Sequence, residues 1–158
     1  MKGSKKLKRW LKEKNVQAKI LPTHQDTSSV DASSKTLGIK KEDIVKSVVF
    51  ESNQGIILAI VQGNRRVSEP KLRDATCAEW IKLSDPRTVK ETTGYSVGGV
   101  PPVGHDHADA LTYVLDTHVL DKEWVYAGGG DPTSQLKIRV KDLKEFLSPI
   151  VAEMGEKR

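Results

Sequence analysis

The sequence predicts an α+β fold in which a mixed, curved β-sheet is flanked by helices. Segments with strand patterning outnumber those with helical patterning, and the two kinds do not alternate regularly along the chain. Hairpins and short helices join most of the predicted strands, whereas a doubly wound parallel sheet requires a helix between successive strands. The chain has 158 residues, 37% of them hydrophobic. This is enough for one compact domain with its own core, and we expect residues 1–158 to form it.

The chain begins with a basic amphipathic segment. Leu7, Trp10 and Leu11 have helical spacing and predict a helix over 4–14. Residues 1–14 hold seven Lys or Arg and one Glu, whereas the other 144 residues hold 19 basic and 20 acidic side chains. This local positive charge can attract a polyanion such as RNA, although a solvated helix face explains it equally well. The candidate RNA contacts are Lys5, Lys6, Lys8, Arg9 and Lys12.

Two short elements are expected before the main strands. Apolar and polar residues alternate over 16–20, which predicts a strand that Pro22 would end. Residues 28–37 form the second predicted helix, with Thr27 or Ser28 as its N-cap.

The best-defined strands form a predicted hairpin. Residues 46–51 and 56–62 are rich in β-branched side chains, and the four residues 52–55 provide a turn between them. Their apolar runs indicate burial on both faces for part of their length. A helix is expected next over 69–77, because Pro70 stands in its first turn.

The second half of the chain contributes one well-marked helix and several short strands. Asp85 followed by Pro86 predicts the start of a helix that ends at Thr93, with Gly94 just beyond its end. Short apolar segments predict the strands, and an amphipathic segment predicts a closing helix. The strands are 80–83, 111–116, 123–127 and 135–140, and the helix is 142–147.

A loop rich in glycine and proline spans residues 93–105. Glycine lets a ligand approach the main chain and proline stiffens it, so the loop is a candidate wall of a ligand pocket. Its N–H groups at Gly98, Gly99 and Gly104 are candidate donors to a carbonyl or an oxyanion. No Gly-Lys-Ser/Thr follows the loop, which argues against a Walker phosphate-binding loop. A helix rather than a first strand precedes the loop, which argues against a Rossmann dinucleotide-binding motif. The candidate substrate-binding residues are Gly98, Gly99, Val100, Pro101, Pro102, Gly104 and His105.

Lys46 is the candidate catalytic residue. It opens an apolar strand, so its stem is expected to be buried while its ammonium group points into a cleft. A lysine that reaches solvent from the edge of a strand would have the same sequence pattern. Gly128, Gly129 and Gly130 end a later strand and indicate either tight packing or room for a ligand. These three glycines and Asp116 complete the candidate substrate-binding set.

A metal-dependent hydrolase is the alternative that His105, His107 and Asp116 suggest. No HExxH motif, cysteine pair or carboxylate cluster completes a recognisable ligand set, so we expect neither a metal nor another cofactor. The single cysteine, Cys77, excludes an internal disulfide and has no base suggested beside it.

Several ordered segments together resemble the YbaK/ProX family of aminoacyl-tRNA deacylases, the free-standing relatives of the editing domain inserted in bacterial prolyl-tRNA synthetases. No single motif is decisive, but the order and spacing are specific and extend over about residues 28–147. The matching segments are 35–38, 44–50, 58–67, 93–105, 113–116, 127–130 and 138–143.

The resemblance implies a compact α+β domain with a barrel-like sheet. It implies hydrolysis, in trans, of the ester that joins a wrong small amino acid to the 3′ end of a tRNA, with tRNA-Pro as the expected tRNA. Lys46 would be the key functional residue. Gly98–Pro101 with Pro102 would shape the aminoacyl pocket and hold the terminal adenosine, and Gly128–Gly130 would lie near that pocket.

Further expectations concern partners and location. The expected partners are tRNA and an aminoacyl-tRNA synthetase, and the basic residues at 1–14 would add affinity for tRNA. No apolar run reaches the roughly 20 residues of a membrane span, and no signal peptide is visible, so we expect a cytoplasmic protein without a membrane partner. A tRNA- or synthetase-binding module without catalytic activity is the alternative from another class of function.

Overall fold

The computed structural model describes residues 3–157, and these form five α-helices and ten β-strands. The first half contains α1 (Gly3–Glu13), β1 (Lys19–Pro22), α2 (Val30–Leu37), β2 (Val45–Ser52), β3 (Gly55–Gln62), β4 (Arg65–Val67) and α3 (Glu69–Thr76). The second half contains β5 (Ile81–Leu83), α4 (Pro86–Thr93), β6 (Leu111–Asp116), β7 (Trp124–Gly128), β8 (Ser134–Arg139), α5 (Val140–Leu147), β9 (Ile150–Ala152) and β10 (Gly155–Lys157). Met1 and Lys2, which belong to the predicted basic segment, lie outside the described residues.

The strands form three sheets, which confirms the mixed α+β class. The largest has the order β5-β2-β3-β6-β9, with antiparallel pairs around β2 and parallel pairs from β3 to β9. A three-stranded sheet has the order β1-β8-β7, and β4 pairs with β10. The expected barrel-like arrangement is not closed into a barrel: among residues 3–157, the two larger sheets are joined by an isolated bridge between Ile44 and Tyr126 and by no further strand pairing.

The five-stranded sheet has a core on each face. Along β3, Leu58 and Ile60 point into the larger cluster, whereas Ile57, Ala59 and Val61 point into the smaller one. This alternation explains the continuous apolar run of β3, since a strand covered on both sides has no solvent-facing position to fill with polar residues. The larger core lies towards the three-stranded sheet, and the smaller one includes Leu72 of α3 and Met154.

Several predicted boundaries differ from the structure. The first strand occupies Lys19–Pro22 rather than 16–20, and Pro22 is tolerated because β1 is the edge strand of its sheet. The cap of α2 is Ser29, whose hydroxyl accepts a 3.1 Å hydrogen bond from the Ala32 N–H, rather than Thr27 or Ser28. Strands β4, β9 and β10, of three residues each, were not predicted as elements. No helix within residues 3–157 has the length and apolar character needed to cross a membrane.

Candidate functional site

A cavity of about 420 Å³ opens along the unpaired edge of β2. One edge of β2 pairs with β3 along its whole length, but the other pairs with β5 only through Phe50–Ser52. Residues 45–49 therefore border the cavity instead of another strand. An interrupted sheet edge of this kind exposes side chains together with main-chain groups to a ligand.

Four other parts of the chain complete the wall. They include the N-terminal end of α2 with Ser28 and Ser29, the start of α4 with Pro86, the glycine-proline loop and the three-stranded sheet, and the end of β5 adds Leu83 and Ser84. Val45, Val48, Val49, Val89, Val97 and Val100 make much of the lining apolar. A mostly apolar concave site with a few polar groups has the general form of a small-molecule pocket.

Lys46 is half-buried and borders this cavity, as the sequence predicted. It lies opposite Val61 in the register of the hairpin, so its backbone is fixed within the most regular part of the sheet. A lysine ammonium group is a point charge with three donors on a flexible stem. Its position in β2 gives the cavity a cation that can approach a carbonyl, a carboxylate or a phosphate group.

Three buried side-chain oxygens at the cavity have no hydrogen-bond partner among the described residues. They are Ser47 Oγ, Ser84 Oγ and Gln135 Oε1. The Gln135 amide nitrogen is bound, since it donates to the carbonyl oxygen of Thr27 at 3.2 Å. An unpaired buried polar atom costs about 1–3 kcal/mol, which a bound ligand can recover by pairing with it. None of the three was predicted from the sequence, although Gln135 stands as a polar residue beside the buried apolar positions of a strand.

The glycine-proline loop is held in place by two side chains at its ends. The hydroxyl of Tyr95 donates to the Gly104 carbonyl oxygen at 3.2 Å. His105 Nε2 lies 2.7 Å from the Pro101 carbonyl oxygen, and its Nδ1 lies 2.8 Å from the Tyr113 hydroxyl. A carbonyl oxygen only accepts, so Nε2 carries the proton and Nδ1 accepts from Tyr113.

Burial favours this neutral state of His105. It lowers the pKa of His105 to about 4, although the hydrogen bond to Pro101 acts in the opposite direction. Burial also raises the pKa of Tyr113 to about 12, so its hydroxyl stays protonated and able to donate. His105 therefore serves as a neutral bridge that fixes the loop, and it does not line the cavity.

The glycine-proline loop packs against the end of β7 and the residues that follow it, Gly128–Asp131. A Cβ atom on Gly128 would lie 2.4 Å from the carbonyl oxygen of Val100, and one on Gly99 would lie 2.7 Å from the Asp131 Cα. The Gly130 N–H also donates to the Gly99 carbonyl oxygen at 2.8 Å. The loop thus rests on the β7–β8 turn through direct backbone contact, which only residues without a side chain permit.

The predicted substrate-binding residues divide into two groups. Gly98, Val100 and Gly128 line the cavity with Lys46. The others lie outside the lining: Gly99, Pro101, Pro102, Gly104, His105, Asp116, Gly129 and Gly130. Among the predicted oxyanion donors, the Gly99 N–H is already bound to the Ser96 carbonyl oxygen at 3.1 Å.

Asp116 has a structural environment of its own. Its carboxylate accepts 2.7 Å hydrogen bonds from the N–H groups of Met154 and Gly155, and His118 Nδ1 lies 2.7 Å from it. Burial alone would raise its pKa, but these hydrogen bonds hold the pKa of Asp116 below its usual value. The carboxylate connects the end of β6 to the segment that enters β10.

The alternative metal set does not assemble. His105 and Asp116 are each engaged in the separate hydrogen-bond groups described above. Within residues 3–157, no group of three His, Cys, Asp or Glu side chains is placed to hold a metal ion.

The basic helix α1 packs beside the glycine-proline loop. Its Leu7 and Leu11 are buried, and a Cβ atom on Gly104 would lie 3.2 Å from Leu7. Lys6 forms an ion pair with Asp106, and its ammonium lies 4.8 Å from the ring centroid of Tyr95, so this predicted RNA contact has a structural partner. The other predicted contacts, Lys5, Lys8, Arg9 and Lys12, are exposed.

Fold and cavity together define a small α+β domain whose cavity is lined in part by a lysine. The model of the aminoacyl-tRNA editing domain matches residues 24–146. The chain belongs to this family, which confirms the resemblance seen in the sequence.

Individual relatives agree with this assignment. The chain is 29% identical over 132 residues to a proline–tRNA ligase of Lactobacillus helveticus, and the match covers 81% of this chain but 23% of the ligase. It is 31% identical to the uncharacterized protein YwhH of Bacillus subtilis, over 87% of this chain and 83% of that protein. A solved structure described as a candidate trans-editing enzyme for prolyl-tRNA synthetase superposes with a TM-score of 0.85 at 28% identity, covering 98% of this chain and 97% of the other.

Proposed function

We propose that this protein hydrolyses the ester bond of mischarged aminoacyl-tRNA, acting in trans on tRNA-Pro that carries a small non-cognate amino acid. The observation that carries the proposal is Lys46 at the edge of a largely apolar cavity, in a chain of the editing-domain family. The similarity to a candidate trans-editing enzyme supports action as a separate protein. The matched region of the ligase supports prolyl-tRNA synthetase as the enzyme whose errors are corrected.

The chemistry requires few protein groups, because an aminoacyl ester is already activated. Water attacks the carbonyl carbon, the tetrahedral intermediate carries negative charge on its oxygen, and its collapse releases the amino acid and the 3′ end of the tRNA. We assign to Lys46 the role of orienting the substrate carbonyl or phosphate and offsetting the developing charge. The substrate's own 2′-hydroxyl would assist the attacking water, so neither a serine triad nor a metal is required.

The cavity walls suggest how the substrate is held. Gly98, Val100 and Gly128 would contact the aminoacyl group or the terminal ribose, where absent or short side chains leave room. The valine-rich lining favours small aliphatic side chains, and about 1–3 kcal/mol of discrimination per methylene is available in such a pocket. Since translation supplies the substrate, we place the activity in the cytoplasm, with tRNA and a synthetase as partners.

Replacement of Lys46 tests the proposal. We expect Lys46→Ala to reduce the first-order rate of deacylation of alanyl-tRNA-Pro by at least about 100-fold, the loss found when one electrostatic donor is removed from an oxyanion site. The matched control is Lys40→Ala, since the Lys40 side chain is 79% exposed and does not line the cavity. Both variants should keep the wild-type circular dichroism spectrum and melting temperature.

Two outcomes would contradict the assignment. A folded Lys46→Ala variant with a rate within threefold of wild type would remove the lysine from the mechanism. The second test uses a panel of tRNA-Pro and tRNA-Ala charged with alanine, serine, cysteine or threonine. If the wild-type protein binds tRNA but deacylates no member of this panel, it is a binding module instead.

A further inference from the structure

The three-stranded sheet carries a row of cations and aromatic rings that begins at the cavity. Antiparallel pairing places Gly128 opposite Gln135, and both of these residues line the cavity. Two residues further along, Tyr126 lies opposite Lys137, and two further still, Trp124 lies opposite Arg139. Directly paired residues share one face of a sheet, so these positions form a continuous strip about 13 Å long between residues 135 and 139.

The edge strand adds a third cation to this strip. Lys19 of β1 pairs with Lys137, so two lysines stand directly opposite one another on the same face. Like charges in this position destabilise a sheet. No carboxylate within residues 3–157 lies within 4 Å of the cationic groups of Lys19, Lys137 or Arg139. Packing of the sheet does not account for this concentration of positive charge, whereas a bound polyanion does.

The aromatic rings hold two of the cations in place. Lys137 Nζ lies 5.3 Å from the ring centroid of Trp124 and 5.7 Å from that of Tyr126. Arg139 Cζ lies 4.8 Å from the centroid of Trp124. Such contacts are attractive in themselves and leave the charge available to an anion. Cationic grooves with interspersed aromatic side chains are the usual form of surfaces that bind single-stranded nucleic acid.

The far end of the strip opens into a basic cleft of about 310 Å³. Arg139, Lys141 and Lys144 line it, together with Glu123 and Lys122. The charge of Lys122 is offset by Asp43, whose carboxylate lies 2.8 Å away. The Nε atom of Arg139 is buried and has no hydrogen-bond partner among the described residues. A phosphate oxygen in the cleft would pair with this donor.

We propose that this strip, formed by Lys19, Trp124, Tyr126, Lys137 and Arg139, binds the phosphates of the single-stranded 3′ end of the tRNA as it leaves the cavity. The identity of the RNA rests on the proposed function, but the binding surface itself does not require catalysis. Helix α1 carries another group of basic side chains, and none of its residues lines the cavity. The strip therefore guides the acceptor end, while α1 remains available for other parts of the tRNA.

Binding of RNA by a charge-removal variant tests this assignment. The variant is Lys137→Gln with Arg139→Gln, and the probes are a short labelled single-stranded RNA and uncharged tRNA-Pro, followed by fluorescence anisotropy. We expect Kd for both probes to rise at least tenfold at low salt. The slope of log Kd against log salt concentration should fall by about 1.4, which corresponds to the loss of two phosphate contacts at about 0.7 each.

The matched control removes two exposed charges elsewhere. The control variant, Lys71→Gln with Arg73→Gln, lowers the net charge by the same amount as the strip variant. Both residues lie on α3, the helix that packs on the smaller core, and the control should leave both Kd values within twofold of wild type. Because the strip cations also contact aromatic rings, the double variant is checked by thermal unfolding. Lys19→Glu, at an exposed position, provides a second variant with the same expected direction of change.

The two proposals fail in different ways. The strip would be overturned as the RNA surface if the strip and control variants bound RNA with equal affinity. If deacylation still depended on Lys46 in that case, the proposed enzymatic activity would stand. The proposed activity would be overturned if the wild-type protein hydrolysed no aminoacyl ester. If RNA binding still depended on the strip in that case, the strip would be supported as the binding surface.

Discussion

His105 makes a quantitative prediction about stability at acidic pH. Its neutral ring bridges Pro101 and Tyr113, and its pKa falls from 6.5 to about 4 in the folded protein. The unfolded chain therefore binds a proton at a higher pH than the folded protein does. The stabilising contribution is complete above pH 6.5 and is lost as the pH falls from 6.5 to about 4.

The size of the effect follows from the two pKa values. Each pKa unit between the two states corresponds to about 1.4 kcal/mol. The free energy of unfolding should therefore fall by about 2 kcal/mol between pH about 7 and pH about 4.5 through this residue alone. Carboxyl groups with lowered pKa, such as Asp85 and Asp116, contribute mainly below this range, since their ordinary value is 3.8.

Urea unfolding at several pH values measures this loss in wild type and in His105→Gln. The glutamine amide can donate to Pro101 and accept from Tyr113 in the same places, but it does not titrate in this range. We expect the variant to be less stable at neutral pH and to lose little further stability down to pH about 4.5. The control is His107→Gln, because His107 is exposed and should leave the pH profile as in wild type. An equally steep acid profile in His105→Gln would refute the reasoning.

Two further predictions concern backbone contacts. In Gly128→Ala the new methyl group would lie 2.4 Å from the Val100 carbonyl oxygen, so the loop must move. We expect at least a tenfold loss of kcat/KM for deacylation. Unchanged kinetics would contradict the close contact. Asp116→Ala leaves the N–H groups of Met154 and Gly155 without their acceptor. It should lower the free energy of unfolding by about 2–3 kcal/mol while the folded variant keeps its deacylation rate; an unchanged urea midpoint would disprove this role.

Much of the fold could be predicted because the responsible signals are local. The β2–β3 hairpin follows from two apolar runs around a short turn. The structure confirms the hairpin, with strands that extend to Val45–Ser52 and Gly55–Gln62. The helix α4 begins after Asp85 and ends before Gly94, as its capping residues indicated. Neighbouring residues determine these elements, so the sequence contains the necessary information within a short window.

The candidate site was predicted only in part, because it depends on contacts between distant segments. Lys46 was identified from its place in β2, but Ser47, Ser84 and Gln135 come from separate strands and segments. They meet at the cavity because β5 pairs only with Phe50–Ser52 and because the three-stranded sheet lies on the other side of the cavity. His105 looked like a binding residue by its position in the loop, yet its two hydrogen bonds make it part of the scaffold.

Local sequence patterns were enough to predict the α+β class, the main hairpin and a lysine near the start of β2. Contacts between distant segments leave the sheets open, make His105 and Asp116 part of the scaffold, and place Lys137 and Arg139 on the same strand as Gln135 of the cavity. These features escape a local pattern because strand register and sheet order depend on the packing free energy of the whole chain. A local pattern shows that a residue is buried or exposed on a strand, but its neighbours across the sheet decide what it contacts.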